Sequence, residues 1–180
     1  YLNKNEFKKL KVFEYGSGGS SLFFAKKAVE VISVEHDRNW FNKLEKDSKM
    51  IKKTNWKNNL ILPEKIKDNV NRNAENTSDY FTEAKEYLDC EFKKYSSYID
   101  KYPESYFDIV LIDGRSRPSC IKHSISKVKK GGLLVLDNAE RERYFKSMNN
   151  YLDGFKLVSS HYGALISMDS YTRTNIYLKK

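Results

Sequence analysis

Short apolar runs alternate with stretches of helical period along this sequence, the pattern of βαβ units and a parallel sheet. Lys11 to Tyr15 reads as a first strand, followed by a Gly/Ser turn, a helix from Ser20 to Ala28, and a second strand from Val31 to Glu35. Trp40, Phe41, Leu44 and Ile51 fall on one stripe of a helix from Arg38 to Lys53. Asn59 to Leu62 is a third strand closed by Pro63, and residues 63 to 77, polar and without period, predict an exposed connection. Ser78 or Asp79 is then suited to cap a helix on which Tyr80, Ala84, Tyr87, Leu88, Phe92 and Tyr95 share one face. Such an aromatic stripe predicts core rather than a ligand platform.

Phe107 to Asp113 is a near-continuous apolar run ending in an acid, the form of a central strand buried on both faces. Pro118 suits the first turn of a helix that turns Ile121, Ile125 and Val128 inward and stops at Gly131-Gly132. Leu133 to Leu136 is the fifth strand, and Glu140 to Leu152 the next helix. Phe155 to Ser159 and Thr174 to Leu178 are strands with no helix between them. Lacking a crossover they cannot readily run parallel, so the sheet should end in an antiparallel strand. The expectation is one α/β domain over residues 1–180: a doubly wound, Rossmann-like, mostly parallel sheet.

Length and composition agree with this. The 180 residues suit one hydrophobic core, and 39% hydrophobic content excludes a disordered chain. A formal charge of +9 suits an acidic partner, whether nucleic acid, anionic lipid or an acidic small molecule. No single stretch holds the excess, however, and the aromatics sit at core spacing without the basic-aromatic alternation of RNA binders. A small-molecule partner is therefore expected ahead of nucleic acid. Cys90 and Cys120 are too far apart for a zinc motif or a disulfide framework, so reduced thiols and a cytoplasmic setting are expected. The longest apolar runs are strand-length, so no membrane span is expected. No signal peptide is visible, and an opening at Tyr1 rather than Met leaves a preceding segment open.

The chemistry concentrates where the first strand meets the first helix. Glu14-Tyr15-Gly16-Ser17-Gly18-Gly19-Ser20 places glycines where a ligand approaches a helix N-terminus. Glu35 closes the second strand 35 − 16 = 19 positions after Gly16, near the spacing at which an acid meets ribose hydroxyls. Both features point to an adenosine-type ligand. A dinucleotide is disfavoured, because Ser21 takes the place of the third small residue and Glu14 would crowd a pyrophosphate. A nicotinamide oxidoreductase thus ranks last among the readings, and a cationic ligand suits Glu14 better.

On these residues the sequence resembles the class I S-adenosylmethionine-dependent methyltransferases, whose first motif is an acid followed by G-x-G. The resemblance implies that Glu14, Gly16, Ser17 and Gly18 hold the methionine part of the cofactor, Glu35 the ribose, and His36 the adenine side, with Tyr15, Ser20 and Asp113 also expected among the cofactor-binding residues. Asp113 and Asp137-Asn138 close adjacent strands, roughly 4.8 Å apart, and the three oxygens suit a hard cation such as Mg²⁺. This resembles the metal-dependent O-methyltransferases of the catechol and macrolide-sugar types. Two alternatives stay open: Asp137 with Glu140 is also a capping-box pair, and Asp113 without metal is an acid beside the transferred methyl group. Where the catechol type has a Lys base, this sequence has Gly114-Arg115-Ser116-Arg117. Arginine stays protonated, so Arg115 and Arg117 suggest a clamp for an anionic acceptor or a solvated turn rather than a base. His123 and His161 are lone histidines, read as structural or surface. The reading is methyl transfer to an oxygen of a small, anionic acceptor, with a nucleic-acid methyltransferase or binding module as the alternative.

Overall fold

The computed structural model of the protein describes residues 9–51, 55–67, 71–164 and 171–180, with the side chains of 47–51 excepted. Its main sheet has seven strands: β1 (Lys11–Tyr15), β2 (Glu30–Glu35), β3 (Trp56–Leu60), β6 (Phe107–Ile112), β7 (Val128–Leu136), β8 (Phe155–Ala164) and β9 (Tyr171–Lys179). Their spatial order is β3-β2-β1-β6-β7-β9-β8. β1, β2, β3, β6 and β7 pair in parallel, and β9 inserts antiparallel between β7 and β8. The doubly wound sheet with an antiparallel strand near its end is therefore as expected. Among the described residues no helix is long and apolar enough to cross a membrane.

Strand alternation sorts the core into two layers. Phe13, Tyr15, Ile32, Val34, Val110 and Ile112 point to one side, where they pack on helix α3 (Lys93–Ser96) and helix α4 (Arg117–Ser124) through Tyr95, Cys120 and Ile121. Val12, Val31 and Ile109 point to the other, against Ala25 of helix α1 (Gly19–Ala25) and Leu44 of helix α2 (Arg38–Ile51). Glu14 shares the face of Val12. Its side chain is thereby sent under α1, and Tyr15 is sent into the opposite layer.

Several boundaries differ from expectation. The third strand is Trp56–Leu60, three residues earlier than the Asn59 start, because Trp56 is the apolar residue that reaches the core. The end of the second helix, expected at Lys53, lies outside the described residues. No continuous helix runs from 78 to 95. Tyr80 has φ of +50°, left-handed, and Arg72 donates to the carbonyls of Leu88 and Cys90, groups a helix would need. That segment instead forms a 3₁₀ turn at Lys85–Tyr87, a strand β5 (Cys90–Glu91) paired with β4 (Glu64–Lys65), and then α3. Phe92 and Tyr95 still enter the core, as their stripe implied.

The helix after Pro118 stops at Ser124, and Val128 already begins β7. Gly131 and Gly132 lie inside that strand, where pairing jumps from Phe107↔Val128 to Ile109↔Leu133. A Cβ on Gly132 would stand 2.9 Å from the carbonyl oxygen of Asp108, so these glycines build a bulge rather than a helix stop. The helix expected over 140–152 is a chain of 3₁₀ turns around a single α turn, α5 (Phe145–Met148).

Candidate active site

The strand order reverses direction between β1 and β6, and ligands of open α/β sheets bind at the carboxyl ends of strands at that switch. A cleft of about 560 Å³ opens there. Gly16 (φ +85°) forms its floor, and a Cβ there would lie 2.8 Å from the Asp113 carbonyl oxygen. Only glycine permits this closeness and this φ.

Glu35 organises the cofactor side. Its Oε2 accepts from the Ser17 amide at 3.0 Å and the Ser17 hydroxyl at 3.3 Å, and its Oε1 from the amides of His36 (2.8 Å) and Asp37 (2.9 Å). Burial pushes this carboxyl's pKa up, but the contacts from His36 and the Asp37 amide outweigh burial and hold it below the usual range. His36 Nδ1 lies 2.9 Å from Oε1, close enough for attraction yet off the line of a hydrogen bond. Its ring sits 5.3–5.9 Å from those of Tyr87, Phe92 and Tyr95. The carboxylate thus fastens the end of β2 to the glycine loop, and Trp40 fastens α2 to it by donating from its indole to the Ser17 carbonyl at 2.7 Å. Asp37 caps α2 by accepting from the Trp40 amide.

Of the expected cofactor residues, Gly16, Ser17, Gly18, Ser20, Glu35, His36 and Asp113 line the cleft. Glu14 and Tyr15 do not. Tyr15 is fully buried and donates to the Ser96 carbonyl at 2.6 Å, in the opposite layer. Glu14, also fully buried, accepts from the hydroxyls of Ser20, Ser21 and Ser33, the last at 2.9 Å, and Ser33 in turn accepts from the Trp56 indole at 2.9 Å. It braces the start of α1 from below instead of touching a ligand. Burial pushes its pKa up to about 7, against the lowering effect of the three hydroxyls. Asp37, Trp40, Glu86 and Tyr87 line the cleft and were not anticipated.

The far wall carries Asp113, Gly114 and Arg115. Asp113 keeps 45% of its side chain exposed to the cleft yet is otherwise surrounded by protein, which raises its pKa; Arg117 opposes the rise and Asp137 adds to it. Arg115 reaches across to Glu86, 3.5 Å away. Arg117, expected beside Arg115 as half of an anion clamp, faces inward with its side chain only 8% exposed. It donates from Nε to the Gly114 carbonyl (3.0 Å), from Nη1 to the Asp137 carbonyl (2.8 Å) and the Asn138 side-chain oxygen, and from Nη2 to Asp113 Oδ1 (3.1 Å).

The residues proposed for Mg²⁺ do converge, but on a guanidinium. Asp137 Oδ1 is taken by the Thr174 hydroxyl at 2.7 Å, and Asn138 Nδ2 donates to Thr172 at 2.7 Å. The described residues contain no group of three or more His, Cys, Asp or Glu placed to hold a metal ion. With Arg117 drawing on two of the three ligand side chains, the set does not fit Mg²⁺. The capping alternative is not realised either: no helix starts at Asp137, and Glu140 accepts from the Arg173 amide at 2.8 Å.

No protein-family model and no curated sequence matches this chain. Solved structures do share its fold. A methyltransferase-like protein from Silicibacter pomeroyi is 19% identical, with 98% of this chain and 82% of that one covered and a TM-score of 0.55. A tRNA (m1A58) methyltransferase from Aquifex aeolicus is 14% identical over 96% of this chain and 64% of its own (TM-score 0.54). A putative methyltransferase from Streptococcus mutans, solved in complex with SAH, is 10% identical over 95% and 90% (TM-score 0.55). At these identities the likeness is one of fold.

Proposed function

We propose that the protein is an S-adenosylmethionine-dependent methyltransferase acting on an oxygen of a small acceptor that carries an anion. The observation that supports this best is the charge of the cleft. Among its lining residues are four acids, Glu35, Asp37, Glu86 and Asp113, against one cation, Arg115, in a chain whose formal charge is +9. A local excess of negative charge inside a basic protein favours a sulfonium cation and opposes the pyrophosphate of a dinucleotide. The glycine floor and the ribose-type acid complete the fit.

The cofactor supplies a methyl group on positively charged sulfur, and transfer to the acceptor oxygen leaves S-adenosylhomocysteine (SAH). The chain's part is binding, orientation and proton handling. The glycine loop lets backbone approach the ligand, and Glu35 takes the ribose hydroxyls. Its roughly four acceptor sites are all engaged, so a ribose would displace the longest of these bonds, that of the Ser17 hydroxyl. Asp113, with its pKa raised toward neutrality, is suited to accept the acceptor's proton. Arg115, at the open end, is suited to the acceptor's anionic group in exchange for Glu86.

Calorimetry with SAH tests this reading. Tight binding is expected, and Glu35→Ala should weaken it by about 10- to 150-fold, the equivalent of one charge-assisted hydrogen bond. Arg115→Lys should leave SAH binding intact while impairing turnover, because Lys lacks the forked contact. Binding of NADH in preference to SAH would overturn the assignment. The tRNA methyltransferase among the structural neighbours motivates RNA as the second acceptor class. RNA would announce itself by affinity that falls steeply with salt, a behaviour a small acceptor does not share.

A further inference from the structure

At the carboxyl ends of β6 and β7 the chain brings together the three side chains that suit a hard cation, Asp113, Asp137 and Asn138. A positive charge does stand among them, but it is covalently attached. The guanidinium of Arg117 bonds the Asp113 carboxylate, the Asn138 side-chain oxygen, and the backbone carbonyls of Gly114 and Asp137. Four of its five N–H donors are thereby directed at the ends of two neighbouring strands. Nothing about this resembles a solvated turn, since Arg117 is buried and sits in the first turn of α4.

The surroundings are built to keep it there. Ser116, just before it, holds φ of +49°, and Asn138 holds φ of +51°, so the chain passes through left-handed positions at the start of α4 and just after β7 to present these groups. Asn138 is fixed from its other end by Thr172, and Asp137 by Thr174, both on β9. Asn138 Nδ2 points at Thr172, which leaves its oxygen for the guanidinium and makes the pair directional. Arg117 therefore satisfies, with a planar fork, the oxygens that a hydrated ion would otherwise bridge.

We propose that Arg117 is a built-in replacement for a divalent cation: it fixes Asp113 and Gly114 as the far wall of the cleft and makes a metal unnecessary there. Arg117 is a positioning residue, acting through Asp113 and not touching the substrate. The role of Asp113 in the reaction rests on the proposed methyl transfer. The replacement of the cation does not, and is tested apart from it.

The experiment titrates Mn²⁺ into the full chain, followed by electron paramagnetic resonance, alongside SAH calorimetry, for the wild type, Arg117→Ala and Arg117→Lys. Wild type should leave Mn²⁺ free at millimolar concentration. Arg117→Ala should gain protein-bound Mn²⁺, and the gain should vanish in Arg117→Ala/Asp113→Asn. The alanine variant should also bind SAH at least tenfold more weakly, with part of the affinity restored by guanidinium ion below denaturing concentration and none by sodium at equal ionic strength. Arg117→Lys should be intermediate. A merely structural arginine would lower the melting temperature without creating an Mn²⁺ site or responding to guanidinium, and that result overturns the proposal. So does wild type that binds Mn²⁺ and loses it on Asn138→Ala, a result that stands even if Arg117→Ala does not fold. A wild type that ignores SAH would count against the cofactor reading alone, because the Mn²⁺ arms still decide the question of the cation.

Discussion

The unfolding free energy is expected to fall by about 3 kcal/mol through Glu14 alone as pH rises from about 4.5 to 7. The buried carboxyl titrates near 7 in the folded protein against an ordinary value of 4.5. Between those values the folded state keeps a proton that the unfolded state has lost, so each unit of pH costs about 1.4 kcal/mol. The contribution is complete below the unfolded pKa and is lost as pH rises through the folded one. Glu14→Gln keeps the shape and a polar end for the three serine hydroxyls but cannot ionise. Its stability should decline less steeply across the same interval. Urea unfolding of both proteins at pH 5, 6 and 7 measures this. Asp113 is shifted in the same direction, so the share of Glu14 is the difference between the two slopes, and parallel slopes would refute the assignment. Glu35 runs the opposite way: with its pKa depressed, its contribution is present above the unfolded value and is lost only as pH falls into the acid range.

A larger local effect is expected at the floor of the cleft. In Gly16→Ala the new methyl would lie 2.8 Å from the Asp113 carbonyl oxygen and 3.1 Å from the Gly114 Cα, at a φ of +85°. All of those atoms are backbone, so no side chain can rotate away. Left-handed strain of roughly 1–2 kcal/mol adds to overpacking of roughly 1–3 kcal/mol, a loss of about 2–5 kcal/mol. The melting temperature should drop by well over 5 °C and SAH binding should fall below detection, since relief of the clash must part β1 from β6 at the point where the ligand sits. Gly154→Ala is the control, because a Cβ there meets nothing within 4 Å and the residue lies outside the cleft. Equal behaviour of the two variants would show that the close approach of the strands does not matter.

The parts of this molecule legible in its sequence are those governed by local period and by end-of-strand chemistry. Buried parallel strands announce themselves as apolar runs, and the Gly16 turn and Glu35 each sit at the end of one. Glu14 was legible as an important acid but not in its direction: two-fold alternation along β1 sends it under α1, once the layer on that side is known. The segment from 78 to 95 misled because aromatic spacing reports burial without reporting backbone, and the Arg72 contacts to Leu88 and Cys90 that break the helix come from 16 and 18 residues away. Gly131-Gly132 read as a stop signal because a bulge and a helix end ask for the same residue. Arg117 was the hardest to place. Its sequence neighbours suggested an exposed turn, whereas its partners Asp137 and Asn138 lie 20 and 21 positions on, reached only when β6 and β7 are side by side.

The place of β9 in the sheet bears on how the protein is made. A ribosome delivers β7 well before β9, yet the antiparallel edge of β7, from Leu133 to Leu136, is covered only by Asn175–Leu178. During synthesis β7 therefore waits with one edge bare, and β8, when it emerges, cannot take that edge in its final position, because β9 must come between them. Thr172 and Thr174, which steady Asn138 and Asp137, arrive in the same late stretch. The far wall of the cleft is consequently finished last, and a nascent chain stalled before residue 171 would carry the glycine loop and Glu35 together with an open strand edge, the kind of edge that recruits other chains.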